Sequence, residues 1–324
     1  MAFVSVVGVA TRAAIFGGAR NKAWSAQRVK NVCRSSSAAT VRMEMKVPKV
    51  PFPQQRYDSL LPKEKWAATF GKTLVVGGDS GQGLEFVRQL VAAGVHVIAA
   101  FRKSAPSDQL KEVNPAQCIP GVNFLEDNVD KVLNDGLGDT KVDTMLMVSG
   151  YFTEEGALEV VRSEEEKMYK ICAISPTQII TSMFQSGKFA SNARIGMITS
   201  EGGSIGLRTE QEGGKNYAHH GSKAASNMVV RLLGYDLKPH GISIVGMHPG
   251  FIKTPMTEKY SHFYEEFGAV EASVAVPFML QCVAELDLDH TGRFVAAMGA
   301  YGLGLGALAI AEPEKLKPGD DLPW

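Results

Sequence analysis

The chain has 324 residues, 45% hydrophobic and 21% charged, which is enough to bury one sizeable core and long enough for one or two domains. Its 34 basic and 34 acidic residues balance only overall, because residues 1–43 contain no Asp or Glu but do contain Arg12, Arg20, Lys22, Arg28, Lys30, Arg34 and Arg42. Without those seven, 27 basic residues face 34 acidic ones, a balance that argues against nucleic acid as a partner, and no apolar run reaches the roughly 18 residues needed for a membrane span.

The acid-poor opening, with Ser35, Ser36 and Ser37 near its end, has the composition of an organelle transit peptide over residues 1–43. The start "MAFVSVVGVA", with Phe3, resembles plastid transit peptides. Chloroplast stroma is therefore the expected location, with the mitochondrial matrix as the alternative. Residues 44–70 hold Pro48, Pro51, Pro53 and Pro62 and no steady period, and read as a lead-in arm. Cys33, Cys118, Cys172 and Cys282 have spacings that match no metal-ligand pattern, so no metal site is expected.

From Gly71 onward, short β-branched or apolar runs alternate with longer helical patterns. "TLVVGG", "VHVIAA", "GVNFL", "VDTMLMVSG", "ARIGMITS", "GISIVGMHPG" and "GRFVAAMG" read as strands, and residues 217–237 as a long helix. This alternation predicts an α/β Rossmann fold over 71–324, one doubly wound parallel sheet of about seven strands with helices on both faces.

The first strand runs into "VGGDSGQG" directly before a helix. Gly77, Gly81 and Gly83 let the backbone turn tightly against a pyrophosphate, with Ser80 and Gln82 beside it and the helix N-terminus supplying amides. The second strand ends in Arg102 and Lys103, where an NAD-preferring site usually has a carboxylate; a basic pair attracts a 2′-phosphate, so NADP(H) is favoured over NAD(H).

From about Lys72 to the end, the chain resembles the short-chain dehydrogenase/reductase family, particularly its C-factor-like carbonyl reductases. "VGGDSGQG" matches the family's Thr-Gly-x-x-x-Gly-x-Gly with Val76 in place of threonine, and "HPGFIKT" matches Pro-Gly-x-x-x-Thr at Pro249, Gly250 and Thr254. The resemblance implies that Asp127 meets the adenine, that Gly150 of "MVSG" stands where the family has Asn-Asn-Ala-Gly, and that the Ile252 backbone and Thr254 border the nicotinamide. "TGRFVAAMG" and "DDLPW" also resemble this group, separated here by an insertion over about 300–320 that is expected to cover a pocket or mediate subunit contact. The resemblance further implies a small-molecule substrate and a homodimer or homotetramer.

The family's chemistry uses a serine, a tyrosine, a lysine four residues after it, and an asparagine. Ser200 fits the serine and Lys223 the lysine, which holds the ribose. The tyrosine position is His219 and the asparagine position Cys172. Tyr217 lies about 120° around the helix from Lys223, whereas a residue four before it lies about 40° away, so Tyr217 is no easy substitute. Two readings stay open: an NADP(H)-dependent oxidoreductase acting on a small carbonyl or alcohol with Ser200, His219 and Lys223 as catalytic residues, or a catalytically degenerate NADP(H)-binding member with a structural or regulatory role.

Overall fold

Runs such as Thr73–Val76 and Thr144–Met147 are shielded at every position, the pattern of strands covered on both faces. The computed structural model describes residues 47–324. Its strands are β1 (Lys72–Val76), β2 (His96–Ala100), β3 (Gln117–Ile119), β4 (Val142–Met147), β5 (Phe189–Ile198), β6 (Ser243–His248), β7 (Ile252–Lys253), β8 (Val270–Glu271) and β9 (Arg293–Ala296). Seven of them form one sheet in the order β3-β2-β1-β4-β5-β6-β9, with every neighbouring pair parallel, while β7 and β8 pair only with each other. The chain leaves β1 outward to β3 and returns on the other side at β4. In sheets of this kind ligands bind where the order reverses, which here is beyond the C-terminal ends of β1 and β4.

The longer helices are α1 (Gln54–Asp58), α2 (Trp66–Phe70), α3 (Gly81–Ala92), α4 (Asp108–Val113), α5 (Val129–Leu137), α6 (Arg162–Tyr169), α7 (Ser175–Gln185), α8 (Tyr217–Leu237) and α9 (Ala272–Ala284). One apolar layer joins Phe86 and Leu90 of α3 to Phe278 and Met279 of α9; the other joins Leu133 of α5, Ile179 and Ile180 of α7 and Val230 and Leu233 of α8. The helix expected over 217–237 is α8.

The expected third strand, "GVNFL", is displaced. The strand is Gln117–Ile119, and Pro120 followed by Gly121 at φ 76° ends it before Val122. The lead-in arm contains two short α-helices with a 3-10 turn (Lys63–Lys65) between them, and Trp66 and Phe70 enter the first apolar layer. Its polar atoms run along α9: Leu61 N donates to Gln281 Oε1 at 2.6 Å, and Arg56 pairs with Glu285 at 2.7 Å. The expected transit peptide lies outside the described residues.

The C-terminal tail closes the open edge of β9. Asp321 bridges Val295 antiparallel and Leu322 N donates to Phe294 O at 2.9 Å, which leaves fewer free strand groups at that edge. The 300–320 segment folds back on this edge. Leu303, Ala307 and Leu322 share a small core with Phe294, Ala296 and Leu207.

Candidate active site

The cradle is built by the turn between β1 and α3. Gly77 and Gly81 sit at φ 96° and 51°, which only glycine adopts without strain. A Cβ on Gly83 would overlap the Gly77 carbonyl oxygen, and one on Gly77 would lie 2.8 Å from Ser149 Oγ, so turn, helix and the end of β4 approach as closely as glycine permits. Ser80 caps α3 from an extended conformation without a side-chain hydrogen bond, and the first turn holds no acid. The first amides and positive end of α3 thus face an anion-sized cradle, and these residues fit a dinucleotide pyrophosphate. Gln82 contributes backbone only, since its Nε2 points at Met279 Sδ, 2.7 Å away.

The opposite wall is the segment after β6. Gly250 (φ 85°) turns the chain, Pro249 precedes it, and Thr254 and Pro255 come within 3.8 Å of where a Gly81 side chain would start. Ile252 is buried in β7 and its carbonyl accepts from Thr257 Oγ1 at 2.6 Å. The 300–320 segment backs this wall, as a Cβ on Gly302 would lie 2.9 Å from Phe251 N. Gly150 is exposed, with open space where a side chain would be.

At the end of β2, Arg102 is exposed and forms no ion pair among the described residues. Lys103 leans toward the turn and pairs with Asp79 at 3.3 Å. Asp127, which the resemblance places at the adenine, follows β3 at the start of the segment leading into α5. It is exposed, and its carboxylate pairs with Lys170 at 2.7 Å, which holds its pKa below the usual carboxylate value; Asn123 and Phe124 stand closer to the end of β3 in sequence.

Ser200 follows β5 and its Oγ accepts from Gly202 N at 3.1 Å. A methyl built on Gly202 would be 3.3 Å from Ser200 Oγ, 3.1 Å from His219 Cε1 and 3.3 Å from His219 Nδ1, so hydroxyl and imidazole flank the same glycine. One turn further along α8, Lys223 is buried and its Nζ donates to Ile198 O at 3.2 Å. The structure therefore brings Ser200, His219 and Lys223 together at the C-terminal end of β5. Tyr217 is exposed on α8.

His219 is half-buried, but its Nδ1 is shielded from solvent and has no protein partner. Burial, reinforced by the Lys223 charge, lowers its pKa from 6.5 to about 3. The ring is neutral through the physiological range. It can donate or accept a hydrogen bond but carries no dissociable imidazolium proton. Cys172 lies in a π-helical turn (Lys170–Ile174), and its carbonyl accepts from Ser226 Oγ at 2.6 Å. That carbonyl already has a protein donor, and a thiol stands where the resemblance places an asparagine amide.

Several contributing residues lay beyond sequence reasoning. Glu155, in the loop after β4, caps α8 from afar: its Oε1 accepts from Ala218 N and its carbonyl from Asn216 N at 2.9 Å. This compensates for Lys215 and Asn216, both in the left-handed region at φ 88° and 52°, and for a helix whose own cap makes no side-chain bond. Phe152 stands edge-on to His219 with centroids 4.8 Å apart. Glu154 accepts from Tyr260 and lies 3.7 Å from Lys259, tying the 151–157 loop to the loop after β7. His220, next to His219 on α8, accepts from Arg208 at 3.0 Å, while Arg208 also pairs with Glu201 and Glu212. Apart from the local Arg208–Glu201 and Arg208–Glu212 pairs, these are contacts between segments distant in sequence, which leave no local pattern.

The family model described as short chain dehydrogenase matches residues 72–265. The C-signal of Myxococcus xanthus is 30% identical over 156 residues, 47% of this chain and 84% of that protein. The 1-hydroxy-2-glutathionyl-2-methyl-3-butene dehydrogenase of Rhodococcus sp. (strain AD45) is 28% identical over 234 residues, 70% of this chain and 97% of that one. Among solved structures, the NADPH-bound carbonyl reductase from chicken fatty liver superposes with a TM-score of 0.60 at 20% identity, covering 79% of this chain and 99% of that one, a likeness of fold.

Proposed function

Because the chain belongs to the short-chain dehydrogenase family, we propose that it is an NADP(H)-dependent oxidoreductase interconverting a small carbonyl compound and its alcohol. The observation that carries this reading is the convergence of Ser200 Oγ, the unpartnered His219 Nδ1 and Lys223 at one end of β5, next to a glycine cradle that fits a pyrophosphate. Bound there, the dinucleotide supplies the hydride. Gly77, Gly81, Gly83 and the α3 amides would hold its phosphates, Arg102 would meet a 2′-phosphate, Pro249 to Thr254 would border the nicotinamide, and Lys223 would hold the ribose. Ser200 and neutral His219 position the substrate oxygen by hydrogen bonds.

Proton transfer is where this chain departs from its family. With a pKa of about 3, His219 is too weak a base to hold a proton and, when neutral, too weak an acid to release one at pH 7. A water at the substrate oxygen then exchanges the proton, and turnover is slow. A second reading, an NADP(H)-binding member without turnover, is favoured by the same neutral ring and by the Cys172 carbonyl engaged with Ser226. Fluorescence titration with NADPH and NADH, then turnover on a carbonyl panel with parent and His219→Tyr, tests both. We expect NADPH to bind more tightly than NADH, with slow parent turnover that rises at least roughly tenfold in His219→Tyr. Tight binding with no parent turnover selects the second reading; no binding of either nucleotide removes both.

The chloroplast stroma is the location that the composition of residues 1–43 supports. A homodimer or homotetramer is supported by the exposed stripe Met228, Leu232 and Tyr235 on α8.

A further inference from the structure

The glycine turn contains an acid where anions are to be bound. Asp79 is 8% exposed and stands in sequence between Gly77 and Gly81. Its Oδ1 accepts from Ser107 N at 2.6 Å and its carbonyl from Ser107 Oγ at 3.2 Å, while Ser107 Oγ in turn caps α4 by accepting from Leu110 N at 3.2 Å. Oδ2 is left for Lys103, 3.3 Å away, whose side chain is 62% exposed. Asp79 thus pins the loop from Phe101 to Ser107 to the turn. It also places a shielded negative charge near the phosphate cradle, which weakens anion binding unless it is neutralised.

The geometry points to Lys103 as the counter-ion of Asp79 and not as a reader of the 2′-phosphate, so that Arg102 alone discriminates NADPH from NADH and the Asp79–Lys103 pair sets affinity for both. This rests on the reading of the turn as a dinucleotide cradle. A cation that reads the 2′-phosphate and one that neutralises a shared acid differ in which nucleotide feels their loss. Removing Arg102 costs NADPH alone. Removing Lys103 leaves Asp79 uncompensated beside phosphates that both nucleotides carry.

The test is a set of binding titrations, by fluorescence and calorimetry, of NADPH and NADH to the full chain and to Arg102→Met, Lys103→Met, Asp79→Asn and the double variant Asp79→Asn/Lys103→Met. Lys103→Met is expected to weaken both nucleotides by a similar factor, roughly tenfold. The double variant recovers most of that loss, because asparagine keeps the acceptor for Ser107 N and removes the charge. Arg102→Met weakens NADPH roughly tenfold and leaves NADH within about twofold. A Lys103→Met loss confined to NADPH, or one undiminished in the Asp79→Asn background, overturns the assignment while leaving the nucleotide reading intact. Should Asp79→Asn fail to fold, the NADPH-to-NADH comparison in Lys103→Met alone decides it. A parent chain that binds neither nucleotide overturns both.

Discussion

His219 and His248 are both neutral in the folded protein, for one physical reason and with two consequences. Burial is the leading cause at each, lowering His219 to about 3 and His248 to about 4. His248 is neutral with both nitrogens placed: Nδ1 accepts from Glu201 N at 3.1 Å and Nε2 faces Gly302 O at 3.3 Å. The unfolded rings take up protons near 6.5, so below that pH the unfolded state binds more protons, and stability present above about 6.5 is lost as pH falls toward 4. Between pH 6.5 and 5.5 each ring should cost about 1 kcal/mol. Urea unfolding at the two pH values checks this, and His219→Phe should remove about half of the acid sensitivity. The same shift predicts no ionisation of His219 in the profile of kcat/KM between pH 5 and 9. His219→Tyr, with Lys223 beside the phenol, should introduce one. The sequence made the replacement of tyrosine by histidine visible, but not its environment: Phe152 and Gly202, which enclose the ring, come from other segments.

At the scale of elements, the regular pieces were legible and their ends were not. The glycine turn and the first and fourth strands, with α8, follow from local composition, because apolar runs and helical periods hold whatever packs on them. The third strand was misplaced because Val122 and Phe124 are buried without being in the sheet; they pack under α5 and α7, and burial leaves the same apolar signature as a strand. The start of α8 likewise has no local cap, and its restraint comes from Glu155, more than 60 positions earlier. Glu155→Ala should cost about 1–2 kcal/mol in chemical denaturation, with Glu155→Gln retaining part of it through its remaining acceptor. A neutral result for Glu155→Ala removes Glu155 as the cap.

For the whole molecule, the two ends of the described chain are as much part of the fold as its middle. The arm places Phe52 edge-on to Tyr301 (centroids 5.2 Å apart) and to Phe278 (6.0 Å), linking it to the 300–320 segment and to α9. That segment shares a core with the tail and with Leu207, in the loop that follows Ser200. Replacing residues 301–320 by a short Gly-Ser link should therefore lower Tm by more than about 5 °C, as removal of Leu303 and Ala307 opens that core. An unchanged Tm contradicts the packing role.

By itself, the sequence determined the doubly wound parallel sheet, the glycine-rich turn after the first strand, the basic end of the second strand and a histidine at position 219. These are properties of short windows, where periodicity, glycine and charge act locally. The tertiary structure decided that His219 is neutral, that Lys103 turns to Asp79, that Asp127 faces Lys170 and that Glu155 caps α8. Each depends on burial or on a partner distant in sequence, and desolvation and charge pairing act through space, which a linear pattern does not record.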